Sequence, residues 1–156
     1  VIRPARPTDA EAIAAIWNPI VDETTITFTT VEVTEGAVAA LIAQTPVRVA
    51  EIGGAVSGFV TWAPFRPGPG YADTLEHSIY LAPAARGQGV GRHLMQACLA
   101  EAGALGGHSM IAGIGGENAG GLAFHRALGF DTVARLPGVG RKFGRRLNLV
   151  LMRKFL

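Results

Sequence analysis

"HSIYLAPAARGQGVGRHLM" runs from His77 to Met95. Its opening reads as a strand and its close as the first turn of a helix. Between them lies "RGQGVGR", Arg86 to Arg92. Glycines at alternate positions let the backbone curl, so that successive N–H groups converge on one concavity. The helix that begins there adds its unpaired N–H groups and the positive end of its dipole. Two flanking arginines add full charges. The turn therefore reads as an anion seat, best suited to a pyrophosphate. The alternative is a glycine-rich helix entry that holds nothing.

Familiar nucleotide loops do not fit. A P-loop requires Gly-Lys-Ser or Gly-Lys-Thr at its end, and none follows. A dinucleotide fold requires G-x-G-x-x-G after the first strand, with an acidic residue about twenty positions on. Here the spacing is G-x-G-x-G, midway along the chain, with no acidic residue at the matching place. A kinase glycine loop lies between two strands and does not open a helix.

The 156 residues form one domain, 1–156. With 49% hydrophobic and 17% charged residues, disorder is excluded. The 21 glycines have no period, which excludes a fibrous chain. A net charge of +2, beside a pI near 9.1, is mild and locally clustered. It suits a phosphorylated small molecule better than nucleic acid, and no nucleic-acid partner is expected. The lone cysteine, Cys98, excludes an internal disulfide and a cysteine-only metal cage, and no metal is expected. Cys98 lies among Leu94, Met95, Leu99 and Ala102 and reads as a buried structural thiol. No window resembles a signal peptide or a membrane span, so the expectation is a cytoplasmic protein with no membrane partner.

Along the chain, "IRPAR" reads as a strand. Thr8 and Glu11 suggest a capping box before "AEAIAAIW", and Pro19 is expected to limit that helix. "TEGAVAALIAQT" reads as a second helix. "VRVAEI", Gly53-Gly54 and "AVSGFVTWA" signal a hairpin. "FRPGPGYAD" reads as an exposed loop. "TLEHSIYL" is a strand, "VGRHLMQACLAEAGAL" a helix, "HSMIAGI" a buried strand and "NAGGLAFHRAL" a helix. "FDTVARL" and "RLNLVLMRKF" are late strands. The order β-α-α-β-β-β-α-β-α-β-β, with two βαβ-like crossovers, implies an α+β fold: a mixed, mostly antiparallel twisted sheet flanked by helices.

"R-G-x-G-V-G-R-x-L-M" after a mid-chain strand resembles the acetyl-CoA pyrophosphate loop of the GCN5-related N-acetyltransferases. "NAGGLAFHRALGF" resembles that superfamily's second signature, an Asn opening a helix that ends in Gly-Phe. "TITF", "FRPGPGY", "TLEHSIYL" and "GRKFGRRLNLVLM" resemble the phosphinothricin acetyltransferase family over essentially the whole chain. That family acetylates the α-amine of phosphinothricin, methionine sulfoximine or methionine sulfone. The resemblance implies an acyl-CoA N-acyltransferase fold, acetyl-CoA as cosubstrate and a homodimer. It places Arg86, Gly87, Gln88, Gly89, Val90, Gly91 and Arg92 at the pyrophosphate.

In such chemistry an amine loses a proton and attacks a thioester, an oxyanion is held, and a thiolate is protonated. Glu76 is the candidate base. Strand alternation puts Glu76, Ser78 and Tyr80 in a polar row, and a carboxylate in a desolvated cleft takes up a proton more readily. The family's catalytic glutamate falls on the same position. Ile79, Tyr80 and Leu81 offer backbone groups to the amide-rich pantetheine arm, or else make ordinary strand pairs. Asn118 reads as a helix N-cap, and by resemblance as a cofactor contact. His125 stands where many superfamily members carry a tyrosine that protonates the leaving thiolate; its other reading is structural. His77, on the opposite strand face from Glu76, reads as packing or a backbone hydrogen bond. "GRKFGRR" reads as a solvated loop, an acceptor wall or a subunit contact.

For the acceptor, Arg66 and Tyr71 are candidate contacts, and Phe28 and Trp17 candidate apolar walls. Gly68 and Ala72 stand where the family typically has arginines, and Gly121 where a serine is common. The amine acceptor is expected to be a small amino-acid-like compound. The rivals are the same chemistry on a peptide N-terminus, lysine or polyamine, a non-catalytic acyl-CoA-binding module, and a nucleotide-binding protein.

Overall fold

The computed structural model describes residues 1–156. The chain forms β1 (Ile2–Pro4), α1 (Ala10–Glu23), α2 (Glu35–Gln44), β2 (Val47–Ile52) and β3 (Ala55–Pro64). It continues with β4 (Thr74–Leu81), α3 (Val90–Ala104), β5 (Ser109–Gly115), α4 (Ala119–Ala127), β6 (Asp131–Lys142) and β7 (Arg145–Phe155). The seven strands make one sheet in the order β1-β2-β3-β4-β5-β7-β6. Every neighbouring pair is antiparallel except β4 and β5. The expected order of elements and the mostly antiparallel sheet are both present.

Strand alternation divides the core between the two faces. On one, Val49, Phe59 and Tyr80 stand on adjacent strands under α1 and α2, packed with Ile13, Ile16 and Val38. On the other, Val60, Met110, Ala112, Val150 and Met152 meet Leu94, Met95 and Cys98 of α3. Leu94, Met95 and Cys98 share one helix face because their spacings of one, three and four residues stay within a turn. Cys98 is fully buried, and burial pushes its thiol up to about 12, which suits a packing residue and not a nucleophile.

Three local expectations differ. Thr8 does not cap α1. Asp9 precedes the helix, and its carboxylate accepts the Arg6 N–H at 2.7 Å and both terminal nitrogens of Arg3 at 2.8 and 3.0 Å. A bidentate arginine pair outcompetes a hydroxyl cap. Pro19 lies inside α1 and does not end it. Ile16, Ile20 and Val21 are buried on both sides of it, and their packing outweighs the lost N–H. The helix closes four residues later, where Thr24 Oγ1 donates to Ile20 O at 2.6 Å. The second crossover gives no adjacent parallel pair, because the β6–β7 hairpin puts β7 between β5 and β6.

"GRKFGRR" is the tip of that hairpin, with Phe143 and Gly144 in the turn and the strands extending to Lys142 and from Arg145. Trp17 stacks on Phe59 and Tyr80, at 5.3 and 5.5 Å between ring centroids, and belongs to the core. No helix is long and apolar enough to cross a membrane.

Replacing Asp9 by Ala removes the Arg3 pair and the Arg6 acceptor together. It should lower the unfolding free energy by about 1–2 kcal/mol in denaturant titrations at neutral pH. The Arg3 bond holds the Asp9 carboxyl below its usual range, so the difference should shrink as pH falls and the carboxylate protonates.

Candidate active site

β4 and β5 share four rungs, from Thr74–Ser109 to His77–Ala112, and then part. Each keeps its outer neighbour: β4 stays paired with β3 to Leu81, and β5 with β7 to Gly115. Between the separated ends lies a cleft of about 480 Å³. Ile79, Tyr80 and Leu81 line one wall, Gly113 and Ile114 the other. Ile20 and Ile26 close the α1 side, Asn118, Phe124 and His125 the α4 side, and Arg86, Gly87 and Gly91 the mouth.

At the mouth, Gly87 and Gly89 adopt φ of 72° and 80°, a left-handed backbone that glycine enters without strain. The first α3 bond runs from His93 N–H to Gly89 O. The N–H groups of Gly87 through Arg92 have no hydrogen-bond partner in the chain. Six successive free donors at a helix start can receive an anion. Several side chains there face elsewhere. Val90 is buried, and Gln88 Nε2 donates to Ala84 O at 2.7 Å, so Gln88 and Val90 offer backbone alone. Arg86 and Arg92 are exposed. Gly91 lets α3 approach α4, since a Cβ there would lie 3.3 Å from the Phe124 ring.

Glu76 lies one residue before the last shared rung, on the α1–α2 face. It lines a smaller cavity of about 190 Å³ with Leu41, Thr45, Thr61 and Ser78. Ser78 also lines the larger cleft, so the two spaces share a wall. The carboxylate has no ion-pair partner, and burial raises its proton affinity above the ordinary glutamate value. Gly113 makes room for it: a Cβ there would lie 3.2 Å from Glu76 Oε2.

His125 and His77 form a buried pair. His125 Nδ1 lies 2.7 Å from Gly121 O, and His125 Nε2 lies 3.1 Å from His77 Nε2. A carbonyl only accepts, so His125 carries its proton on Nδ1. Its Nε2 then accepts from His77 Nε2–H. His77 Nδ1 is left as a buried acceptor with no partner in the chain. Burial, with the neighbouring His125, holds His77 down to about 3; burial also lowers His125. Both rings are thus neutral near pH 7, and neither N–H of the pair is free to donate into the cleft. Asn118 caps α4, its Oδ1 accepting Gly121 N–H at 2.9 Å. A Cβ on Gly121 would press on the Asn118 amide, so a side chain there would require that amide to shift.

The acceptor candidates are more scattered. The Phe28 ring rests on Gly115 and Gly140. Arg66 and Tyr71 are exposed, both around Phe65, and line neither cavity. Gly68 has φ of 102°, so an arginine on this backbone would be strained. Sequence reasoning missed the lining role of Gly113, Ile20 and Ile26, and the pairing of His77. Gly113, on a buried strand, carried a legible signal of close approach.

Residues 17–130 match the acetyltransferase (GNAT) family. L-amino acid N-acyltransferase MnaT of Escherichia coli K12 is 39% identical over 97% of this chain and 91% of its own. The L-methionine sulfoximine/L-methionine sulfone acetyltransferase of Salmonella typhimurium LT2 is 43% identical over 69% of this chain and 63% of its own. A phosphinothricin acetyltransferase from Sinorhizobium meliloti, solved in complex with acetyl-CoA, superposes with a TM-score of 0.94 at 33% identity, covering 100% of this chain and 88% of that one.

The neutral histidine pair carries a pH signature. The unfolded chain titrates its histidines near pH 6.5, whereas the fold holds His77 unprotonated to about pH 3. Stability is therefore full above pH 6.5 and is lost as pH falls through that window. Between pH 6.5 and 5 His77 alone should account for about 2 kcal/mol. Denaturant titrations of wild type and His77→Phe at pH 7.5 and 5 should show a smaller loss in the variant.

Proposed function

Because the chain belongs to the acetyltransferase (GNAT) family and is an acetyl-CoA-dependent N-acetyltransferase, we propose that its acceptor is the α-amine of a small amino-acid-like compound. The observation that carries this reading is the shared wall at Ser78. It brings an unpaired, half-buried carboxylate beside a cleft whose mouth holds six free N–H groups. The relatives named for L-amino acids and for methionine sulfoximine and sulfone support the acceptor class.

The residues present fit acetyl-CoA. The N–H groups of residues 87–92, with Arg86 and Arg92, would hold its pyrophosphate. The unpaired edge of β4 at Ile79, Tyr80 and Leu81 would pair with its amide-bearing arm, as an added strand does. Asn118 borders the same space. When bound, acetyl-CoA supplies the acetyl thioester that the amine attacks.

Glu76 then takes a proton from the acceptor ammonium. Its raised proton affinity narrows the gap to the amine, and the absence of a competing cation leaves its oxygens free. Backbone N–H groups at the splayed end of β4 orient and polarise the thioester carbonyl. His125 does not offer a free N–H in this arrangement, so donation to the leaving thiolate would first require a break in its bond to His77 or to Gly121. A cytoplasmic homodimer completes the proposal.

Acceptor-dependent release of CoA thiol should appear with an amino acid, methionine sulfoximine, methionine sulfone or phosphinothricin, and not with a polyamine or short peptide. Release with the peptide alone would overturn the acceptor class. Glu76→Gln should lower kcat by about 10²–10⁴-fold while leaving acetyl-CoA affinity unchanged. In wild type the acid limb of kcat/KM should fall above the ordinary glutamate value of 4.5, and the substitution should remove it.

A further inference from the structure

Lys142 is the one lysine or arginine that the fold buries, with 2% of its surface exposed. It forms no ion pair. Its Nζ donates to the Thr27 carbonyl at 2.8 Å and lies 3.5 Å from Thr27 Oγ1. The Phe143 ring lies 5.1 Å away. Burial disfavours the Lys142 ammonium, and Asp22, which acts on it only from a distance and forms no ion pair, offsets this in part; a methionine would fill similar space without that penalty. The structure thus bears a cost to hold one backbone carbonyl.

That carbonyl lies in the segment Thr24–Val33, which has no helix or strand. The ends of the segment are tied locally. Thr24 bonds back to Ile20 O, and the Asn18 side chain bonds both backbone groups of Val33, at 2.8 and 3.0 Å. Across the middle, Lys142 reaches in from the β6–β7 hairpin, 115 residues away in sequence. Thr27 stands between Ile26 and Phe28. Ile26 lines the cleft. Phe28 is seated on glycines: a Cβ on Gly140 would come within 2.3 Å of its ring, and one on Gly115 within 3.4 Å. Gly115 shares its strand face with Gly113, which makes room for Glu76. One glycine floor therefore carries the Glu76 carboxylate at one end and the Phe28 ring at the other.

We propose that Lys142 is a positioning residue for acceptor specificity: by fixing the Thr27 carbonyl it sets Ile26 and Phe28 as the apolar wall against which the acceptor side chain packs. This rests on the reading that the acceptor amine is delivered to Glu76. It makes Lys142 a determinant of which amines are accepted, without contact with acetyl-CoA.

The test uses the whole chain with the best acceptor of the panel above. Lys142→Met should raise the acceptor KM about tenfold or more, with kcat within about threefold and the acetyl-CoA Kd within about twofold. Amide hydrogen exchange across residues 25–28 should quicken. Gly140→Ala, which displaces the Phe28 ring from the other side, should raise the same KM and serves if the lysine variant does not fold. Faster exchange with an unchanged acceptor KM would overturn the specificity role, and unchanged exchange would overturn the clamp itself. A wild-type chain that releases thiol with no amine removes this proposal along with the functional one. Faster exchange in Lys142→Met would then place the fault in the acceptor assignment and not in the clamp.

Discussion

The rung that joins His77 to Ala112 is the last hydrogen-bonded register between β4 and β5, and the site is organised around where it falls. Before it the sheet is continuous. After it both strands keep their outer partners and lose each other, so backbone donors and acceptors face an opening in the middle of a sheet. Buried backbone groups require partners, and an amide-bearing ligand arm can supply them. Because α3 begins shortly after β4 ends, its free N–H groups arrive at the mouth of the same opening. Because Glu76 lies one residue before the rung, its carboxylate stands on the same strand face as Ser78 and Tyr80, which line the cleft.

The charges are arranged with equal economy. Positive potential gathers at the mouth, from aligned N–H groups and two exposed arginines. A carboxylate without a cation stands at the inner end. Between them the α4 side is kept neutral, since burial opposes protonation of the two imidazoles, which share one hydrogen bond. A half-buried carboxylate without a counter-ion interacts more strongly with a cation that enters than a fully solvated one would. Keeping the histidines uncharged leaves the carboxylate and the anion seat as the dominant polar features of the site.

Much of this was legible along the chain. The bounds of β4 follow from "TLEHSIYL" because alternation and flanking Pro-Gly turns agree. The anion seat follows from "RGQGVGR" because glycines and a helix start are local features. The buried role of Cys98 follows from its apolar helical neighbours. Local grammar failed where distant contacts outweighed it. Thr8 lost its cap to the Arg3–Asp9 pair, and Pro19 was overruled by the packing of Ile20 and Val21. The basic run at residues 140–146 left a solvated loop, an acceptor wall and a subunit contact open, since nothing near Lys142 marks it as the cation whose partner is Thr27.

The sequence by itself determined the strand–glycine turn–helix unit and the polar row holding Glu76. Each depends on residues within a few positions of one another, where periodicity and turn chemistry operate. The tertiary structure alone decided that β4 and β5 part after His77, that His77 and His125 meet in a hydrogen bond, and that Lys142 donates to the Thr27 carbonyl. Each of those joins residues 35 to 115 positions apart. Such contacts are selected by the shape and charge of the assembled fold, which no local pattern encodes.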